Sequence, residues 1–459
     1  MHGAFEAYFE SLQGKRIAVL GLGVSNRPLV RLLLRFGCSV TGCDRTEREN
    51  LDQEILELEQ AGARLSVGAG YLEGLEADLV FRTPGMHPDN PALAGLRDAG
   101  AKITSEMEVF FELCPCHTIA VTGSDGKTTT TTLISELLKA EGKKVWLGGN
   151  IGTPLLSSVP EMTQEDYAVV ELSSFQLMDM ERSAQRCVVT NLAPNHLDVH
   201  KDMQEYINAK KNVFRFQDRQ GLLIVNADNE ITASMAGNGT TRYFSRRNPV
   251  DNGVVCFEGT IYRVCNGVKQ KVMDADDILL PGVHNVENYM AAIAATDGLV
   301  GDEAVRKVAQ TFGGVRHRIE LVRVKNGVRF YNDSIASSPS RTISGLRSFS
   351  EPVILIAGGY DKHIPYDVLG PEICAHVKKL FLTGATAEKI RDAVVRCPEY
   401  AQQQPEIILV EDFAQTVQRA AAAAQPGDVV LLSPASASFD RFKNFEVRGD
   451  FFKQLVMEL

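Results

Sequence analysis

The chain has 459 residues, of which 44% are hydrophobic and 23% charged, as in soluble globular proteins of two to four domains. Its formal net charge of −10 argues against nucleic acid as a partner, because nucleic-acid-binding proteins usually carry a basic face. The sequence has no secretory signal pattern and no apolar run of roughly 18 residues, so we expect a cytoplasmic protein without a membrane span.

A first block, about residues 1–110, opens with a strand and a glycine-rich turn, "RIAVLGLG" (16–23). Gly21 and Gly23 form a G-x-G pattern, and Asp44 follows a second strand. Such a turn offers the N–H groups of a helix start to a pyrophosphate. Because Asn26 takes the place of the third glycine, the pattern alone is weak evidence for a nicotinamide dinucleotide.

A second block, about residues 111–314, opens with "TIAVTGSDGKTTT" (118–130). This reads as a strand, a phosphate loop and a helix start, although the loop is shorter than G-x-x-x-x-G-K-[ST]. Lys127 would contact the β- and γ-phosphates of a nucleotide, and the Thr128 hydroxyl would bind Mg²⁺. The loop residues expected around the phosphates are Gly123, Ser124, Asp125, Gly126, Lys127, Thr128 and Thr129.

Later strand ends of the second block offer metal ligands. Glu171 ends the apolar run "YAVVE", and His196 follows "CVVTNLA" (187–193). Mg²⁺ prefers oxygen ligands, and sites in α/β sheets form at the carboxyl ends of strands. Further on, Asn285 and Asn288 lie one helical turn apart, where they either read an adenine or cap the helix start.

Most of the apolar runs do not alternate with polar residues. Runs of this kind predict parallel strands that are buried on both faces. A stretch near 239–280 does alternate and predicts a small antiparallel excursion. Paired glycines at 313 and 314 mark the start of a third block, about residues 315–459, with strands of its own. Strands that alternate with helices predict an α/β fold.

Nine motifs, in this order, are similar to those of the Mur ligases, and they span nearly the whole chain. The last one resembles specifically the members that add D-glutamate to UDP-N-acetylmuramoyl-L-alanine. The motifs are "TGSDGKTTTT", "GGNIG" (148–152), "ELSSFQL" (171–177), "NHLDVH" (195–200), "YINAKK" (206–211), "HNVENYMAA" (284–292), "RHRIE" (316–320), "YNDSIASSP" (331–339) and "SPASASFDRFKNFEVRG" (433–449).

The resemblance implies three domains and one reaction. Residues 1–110 would form a Rossmann-like domain that binds the UDP-sugar, 111–314 a central phosphate-loop ATPase domain with a mostly parallel sheet, and 315–459 a Rossmann-like domain that binds the incoming amino acid. ATP would phosphorylate the L-alanyl carboxylate, and the amine of D-glutamate would attack the acyl phosphate. We expect a monomer that uses two Mg²⁺ ions.

The same resemblance assigns the catalytic and nucleotide-binding residues. It implies that Thr128 and Glu171 hold one Mg²⁺ and that His196 helps hold the second. Lys210 matches a lysine that the family carries as a carbamate, an oxygen ligand that suits a hard cation. Together with Lys127, Glu171 and His196 it completes the expected catalytic set. The remaining ATP contacts would be Asn285 and Asn288 at the adenine, Arg318 at the phosphates and Asp333 at the ribose.

Substrate contacts are likewise implied by the resemblance. The UDP moiety would lie against Gly23, Val24, Ser25, Asp44, Arg45, Thr46 and Thr83, with Asn150 near the linkage between sugar and peptide. D-glutamate would contact Ser337, Lys362, Ser438 and Phe445.

One motif departs from the family pattern. Many members read N-D-S-K-x-T where this chain has Ile335 for the lysine and Ser337 for the threonine. Serine retains the hydroxyl, but Ile335 removes a positive charge beside an anionic substrate. Arg341 is a candidate replacement for that charge.

Other functions remain open at this stage. A related amide ligase on the same fold, such as a folylpolyglutamate synthetase, would share the phosphate loop but lack the N-terminal G-x-G block. A nicotinamide-dependent oxidoreductase would use the G-x-G turn but leave the phosphate loop unexplained. A non-catalytic nucleotide switch would be expected to lose some of the catalytic residues.

Overall fold

The computed structural model describes residues 2–194, 199–362, 364–400 and 404–459. The chain divides into two compact units: one holds the residues up to Ala275 together with Glu287–Val308, and the other holds Asp276–Val286 together with Ala309–Leu459. Within the described residues the strands form three sheets, two in the first unit and one in the second. The domain limits at 110 and 314 remain a prediction. No helix in the described part of the chain has both the length and the apolar character needed to cross a bilayer.

The N-terminal sheet is entirely parallel, in the order β3-β2-β1-β4-β5. Its strands are β1 (Arg16–Leu20), β2 (Ser39–Asp44), β3 (Arg64–Val67), β4 (Leu79–Phe81) and β5 (Lys102–Thr104). The helices of this part are α1 (His2–Glu10), α2 (Asn26–Arg35), α3 (Gln53–Gln60), α4 (Pro91–Asp98) and α5 (Glu106–Leu113). The predicted glycine-rich turn joins β1 to α2.

The central sheet has the order β14-β13-β12-β11-β10-β9-β6-β8-β7. Its strands are β6 (His117–Thr122), β7 (Val145–Gly149), β8 (Tyr167–Glu171), β9 (Arg186–Val189), β10 (Leu222–Asn226), β11 (Thr240–Ser245), β12 (Gly253–Phe257), β13 (Thr260–Cys265) and β14 (Val268–Asp274). Pairing is parallel from β7 to β12 and antiparallel from β12 to β14. The predicted antiparallel excursion is therefore confirmed for 253–274, whereas β11 pairs in parallel.

Helices that follow the central strands position the phosphate loop and its neighbours. They are α6 (Lys127–Ala140), α7 (Ser174–Leu177), α8 (Met203–Arg215), α9 (Glu230–Ala233), α10 (Val283–Ala295) and α11 (Asp302–Thr311). Helix α8 begins where the Asp202 side chain accepts the N–H of Glu205, an ordinary N-cap. Its buried face includes Tyr206 and Lys210, and a fully buried lysine is unusual in a helix interior.

The sheet of the second unit runs β15-β16-β20-β17-β18-β19, and only the β15–β16 pair is antiparallel. The strands are β15 (Glu320–Lys325), β16 (Val328–Asn332), β17 (Val353–Ala357), β18 (Val377–Leu382), β19 (Glu406–Leu409) and β20 (Val429–Leu432). The helices are α12 (Pro339–Leu346), α13 (Leu369–His376), α14 (Ala387–Val395), α15 (Phe413–Ala422) and α16 (Phe445–Glu458).

Strand β17 shows why the apolar runs do not alternate. Leu355 packs into the core on one face of the sheet, and Ile354 and Ile356 pack into the core on the other. All three side chains are fully buried. A strand covered on both faces needs apolar residues at every position, so the α/β architecture predicted from these runs is confirmed.

A buried acid at the start of α5 makes the stability of the protein depend on pH. Burial raises the pKa of Glu106 to about 7, and only the N–H of Leu156 opposes this shift. Because the folded-state pKa lies above the unfolded one, stability falls as pH rises from about 4.5 to 7.

We expect Glu106→Gln to raise the melting temperature at pH 8 more than at pH 5, with a pH-dependent gain on the order of 3 kcal/mol at most. Thermal unfolding at the two pH values measures this difference. Glu112→Gln, on the exposed side of the same helix, is the matched control. An equal change at both pH values would show that Glu106 does not titrate in this range.

Candidate active site

The phosphate loop connects β6 to α6 and takes its shape from the end of β9. Gly123 has φ +148°, and a Cβ there would lie 1.9 Å from the Thr190 Oγ1 atom. The N–H of Ser124 donates to the Asn191 carbonyl (2.9 Å), and the N–H of Asp125 donates to the Asn191 side chain (3.0 Å). Glycine is therefore required at position 123 for both its backbone conformation and the close contact.

Helix α6 begins at Lys127, directly after Gly126 in the left-handed conformation (φ +77°). A Cβ on Gly126 would lie 2.4 Å from Asn288 Oδ1, and the Thr130 hydroxyl donates to the same oxygen (3.2 Å). Asn288 therefore lies beside the predicted nucleotide loop, and its contact with adenine remains a prediction. The start of a helix presents backbone N–H groups and a positive dipole to an anion.

Two lysines converge on the carbonyl of Gly123. Lys127 Nζ donates to it (3.0 Å) and to the Ser124 carbonyl (2.8 Å). Lys210 Nζ donates to it as well (2.8 Å) and to the Thr122 hydroxyl (3.1 Å). The structure thus brings together two members of the predicted catalytic set that are far apart in sequence.

Lys210 has the properties of a reactive amine. Its side chain is 2% exposed, and its Nζ lies 5.3 Å from the centre of the Tyr206 ring. Burial lowers its pKa well below the usual value and the charge of Lys127 lowers it further, while Glu171 and Asp125 act in the opposite direction. A neutral amine is the nucleophilic form of lysine, so this lysine is suited to covalent modification.

Glu171 ends β8 with a carboxylate that is only half satisfied. One oxygen, Oε1, accepts from the Asn150 side chain (2.7 Å), and the other, Oε2, is buried with no hydrogen-bond partner among the described residues. Buried carboxylate oxygens are normally paired or bound to a metal. The orphaned oxygen therefore fits a Mg²⁺ ligand, and Asn150 orients the carboxylate in addition to any contact with substrate.

Of the two other expected metal ligands, Thr128 is within the described residues and His196 is not. Thr128 is in the first turn of α6 with a partly exposed side chain, next to the loop that it was expected to serve. His196 lies outside the described residues, so its place in the site remains a prediction.

A second group of side chains in the described part of the chain has spacings suited to a metal: His87, Asp89 and Glu205. Its hydrogen bonds argue against one. His87 Nδ1 accepts the N–H of Asp89 (3.1 Å), which leaves the proton on Nε2, 3.4 Å from Glu205. The ammonium of Lys201 already pairs with Asp89. We therefore interpret the group as an ion-pair network.

The glycine-rich turn of the N-terminal sheet has the form of an anion site. Gly21 has φ +77°, and a Cβ there would lie 2.9 Å from Thr83, which places this predicted substrate residue at the turn. Asp44 accepts the N–H of Leu22 (2.8 Å) and the N–H and hydroxyl of Thr46. Burial opposes ionisation of Asp44, but these hydrogen bonds prevail and lower its pKa.

Other predicted contacts are arranged around this turn. Val24 is 75% exposed, and Gly23, Ser25 and Arg45 are also exposed or partly exposed. Asn26, in the place of a third glycine, is buried and donates to the carbonyls of Leu20 (3.0 Å) and Gly21 (2.8 Å). It fixes the turn by side-chain hydrogen bonds, a role that its identity alone did not indicate.

In the second unit, Arg318 is exposed on an unusual turn. Its neighbours His317 and Ile319 have φ of +63° and +44°, values that are costly for non-glycine residues. The turn is fixed because the His317 carbonyl accepts the N–H of Ile335 (3.1 Å) and the Ile319 N–H binds Asp333. Such strain is common at functional sites.

Asp333 is buried below this turn. Burial raises its pKa to about 7, and the Ser433 hydroxyl (2.7 Å) and the charges of Arg318 and Arg341 oppose the shift. Asp333 therefore supports the Arg318 turn as well as being a candidate for ribose. Asn285, also in this unit, donates to the Pro281 carbonyl (2.6 Å). An N-cap side chain accepts a helix N–H instead, so this bond is not the expected cap, and the contact with adenine remains a prediction.

Three of the expected D-glutamate residues lie on loops of the second unit, and the fourth, Phe445, is the first residue of α16. Ser337 and Phe445 are partly exposed, Lys362 is exposed, and Ser438 is buried. Phe445 begins α16, and its carbonyl accepts the Ser334 hydroxyl (2.8 Å). Their joint role at D-glutamate remains a prediction.

Sequence reasoning missed Arg448, a buried residue (2% exposed) that holds the Ser438 loop in place. Its guanidinium donates to the carbonyls of Ser334, Ser436 and Ala437 and to the Ser334 hydroxyl. Burial lowers its pKa to about 10. It lies within the last of the quoted motifs (433–449), but it was not selected as a site residue because arginine is usually exposed.

These features define a class: an α/β nucleotide-binding enzyme with a phosphate loop, a buried lysine and a strand-end acid whose second oxygen has no hydrogen-bond partner among the described residues. Comparison with known proteins identifies the family. Residues 121–296 match the Mur ligase middle domain, and residues 317–436 match the Mur ligase, glutamate ligase domain. The chain belongs to the Mur ligase family.

Relatives match over their full length. A protein of Acetivibrio thermocellus is 50% identical over 99% of both chains, and one of Ruminiclostridium cellulolyticum is 50% identical over 100% of both. Each is named UDP-N-acetylmuramoylalanine–D-glutamate ligase, as is a relative of Clostridium novyi that is 47% identical over 100% of both chains.

Solved structures share the fold. The UDP-N-acetylmuramate–alanine ligase of Thermotoga maritima has a TM-score of 0.57 and 18% identity, covering 97% of this chain and 99% of that one. A pseudomurein peptide ligase type C of Methanothermus fervidus has a TM-score of 0.53 and 18% identity, covering 97% of this chain and 100% of that one. At this identity the likeness supports the fold alone.

Proposed function

We propose that the protein is an ATP-dependent ligase that joins D-glutamate to UDP-N-acetylmuramoyl-L-alanine in the cytoplasmic synthesis of peptidoglycan precursors. The observation that carries the proposal is the convergence of Lys127 and Lys210 at Gly123 beside a preformed phosphate loop. Relatives with the corresponding name at about half identity over the full length support the choice of substrates.

The residues suit the activation of a carboxylate. A carboxylate is a poor electrophile, and its charge repels the γ-phosphate. Lys127 and the N–H groups at the start of α6 would neutralise the transferring phosphoryl group, which is the main catalytic task in phosphoryl transfer. Phosphoryl transfer from ATP to the L-alanyl carboxylate would give an acyl phosphate and release ADP. The amine of D-glutamate would then attack the acyl carbon and lose a proton, and phosphate would leave as the amide forms.

Thr128 and the Glu171 oxygen Oε2 would hold one Mg²⁺, and His196 would help to hold a second. The ion would supply charge neutralisation between the phosphates. A carbamate on Lys210 would convert the buried amine into an oxygen ligand. The low pKa of Lys210 favours this reaction, because CO₂ adds to the neutral amine.

Phosphate release from ATP tests the proposal. The assay contains Mg²⁺ and UDP-N-acetylmuramoyl-L-alanine, with D-glutamate, L-glutamate or other amino acids as acceptors. We expect release that requires both the nucleotide sugar and D-glutamate, with one new amide in the mass spectrum. Release with another acceptor would retain the ligase class and change its specificity. No release in any combination would favour a nucleotide-binding switch, and nicotinamide turnover would favour the oxidoreductase.

We propose that Arg341 provides the positive charge of the family lysine that Ile335 replaces. Its Nη1 atom donates to the Ile335 carbonyl (3.1 Å), so the guanidinium lies beside the residue that replaces the family lysine. We expect Arg341→Met to raise the KM for D-glutamate about five- to tenfold and the double variant with Ile335→Lys to restore it.

The control is Arg347→Met, which removes an exposed arginine just after α12 that pairs with Glu372. Initial rates at varied D-glutamate and varied ATP distinguish the two substrates. Failure of the lysine to restore the KM would mean that Arg341 does not provide the missing charge.

A further inference from the structure

Arg82 follows β4 and is 1% exposed. A guanidinium has five N–H donors in a fixed plane, and here all five have acceptors. Nε donates to Asp179 Oδ2 (2.9 Å), and Nη2 donates to Asp179 Oδ1 and to the Phe175 carbonyl (3.2 Å). Nη1 donates to the carbonyls of Met86 (2.6 Å) and Thr83 (3.1 Å).

One side of this arrangement holds the turn 83–86. The N–H of Met86 donates to the Thr83 carbonyl (3.1 Å), and Arg82 binds the carbonyls at both ends. The Thr83 side chain in turn lies against Gly21 in the glycine-rich turn, 2.9 Å from where a Cβ would be. A change in the conformation of 83–86 would therefore alter the anion site at that turn.

The other side of the arrangement holds the segment 175–179, which begins four residues after Glu171. Ser173 and Gln176 fix the start of α7 through a capping box. The Phe175 ring stacks on His200 with 5.6 Å between centroids. Because α7 begins three residues after the end of β8, this segment directly continues the strand that carries the predicted metal ligand.

We propose that Arg82 is a positioning residue that holds the sugar-nucleotide turn in register with the strand end at Glu171, with Asp179 as its fixed partner. The inference rests on the proposed function, since it assigns the turn at Gly21 and Thr83 to the nucleotide sugar. A bidentate arginine can do this because its planar fork fixes orientation as well as distance, which lysine does not.

The test uses the full-length protein with Arg82→Lys and Asp179→Asn, and with Arg97→Lys as control. Arg97 is exposed and binds only the Pro88 carbonyl (2.9 Å) among the hydrogen bonds of the described residues. We expect Arg82→Lys and Asp179→Asn, the two clamp variants, to raise the KM for UDP-N-acetylmuramoyl-L-alanine about tenfold or more. The KM for ATP should change less than about twofold, and the control should leave both KM values unchanged.

A binding readout separates positioning from a general loss of structure. We expect UDP to raise the melting temperature of the clamp variants less than that of the parent, while the rise produced by ATP with Mg²⁺ is retained. Equal loss of both ligand effects, or no loss of either, would overturn the proposal.

Two further outcomes are covered by the same design. The Asp179 side chain is 30% exposed, so Asp179→Asn carries the test if Arg82→Lys does not fold. If the parent protein releases no phosphate with D-glutamate, the proposed function fails, but the UDP and ATP melting shifts still decide whether Arg82 positions the turn.

Discussion

Replacing Lys127 with methionine is expected to lower turnover about 10³-fold, because it removes the positive charge that faces the transferring phosphoryl group. The side chain now folds over the loop and binds the carbonyls of Gly123 and Ser124. Losing these two hydrogen bonds should affect the loop much less than losing the positive charge affects the transition state. Phosphate release at saturating substrates measures the change.

The matched control is Lys139→Met at the other end of α6, where the lysine is exposed and pairs with Glu136. It should retain the parent rate and melting temperature. A Lys127→Met enzyme within about tenfold of the parent rate would mean that the loop N–H groups alone support the chemistry and that the charge is dispensable.

The second large effect is expected for Lys210→Met, with a loss of about 10² to 10³-fold in turnover. This buried amine is held by the Thr122 hydroxyl and the Gly123 carbonyl, and a methionine fills similar space without the nitrogen. Lys211→Met, one residue along the same helix, is the control and should be nearly neutral.

Nuclear magnetic resonance with ¹³C-bicarbonate gives an independent measurement of the modification. A carbamate signal is expected from the parent and from the Lys211 variant and should be missing from the Lys210 variant. Loss of turnover without any such signal in the parent would assign Lys210 a role as an amine, and the carbamate would be wrong.

Much of the fold was accessible from the sequence. The four apolar runs quoted from the first and second blocks each contain an observed strand, because strands covered on both faces leave an uninterrupted apolar pattern. Short strands such as Arg64–Val67 and Lys102–Thr104 were not predicted. Their side chains are partly or fully exposed, so they lack that pattern.

Within the candidate site, local motifs were readable and long-range contacts were not. The loop around Lys127 and the acid Glu171 could be recognised from their position after strands. The five acceptors of Arg82 come from two separate stretches of chain, 83–86 and 175–179, and nothing in a single sequence shows that they meet. Its burial contradicts the usual expectation for arginine, which is why it was not selected.

The dependence of the phosphate loop on the end of β9 has a consequence for engineering. Thr190 and Asn191 hold the loop through hydrogen bonds to Ser124 and Asp125, some 65 residues away in sequence. A graft of residues 119–138 onto another scaffold would carry the motif without the template that shapes it. In its own context the loop is already ordered, so nucleotide binding has little conformational entropy to overcome.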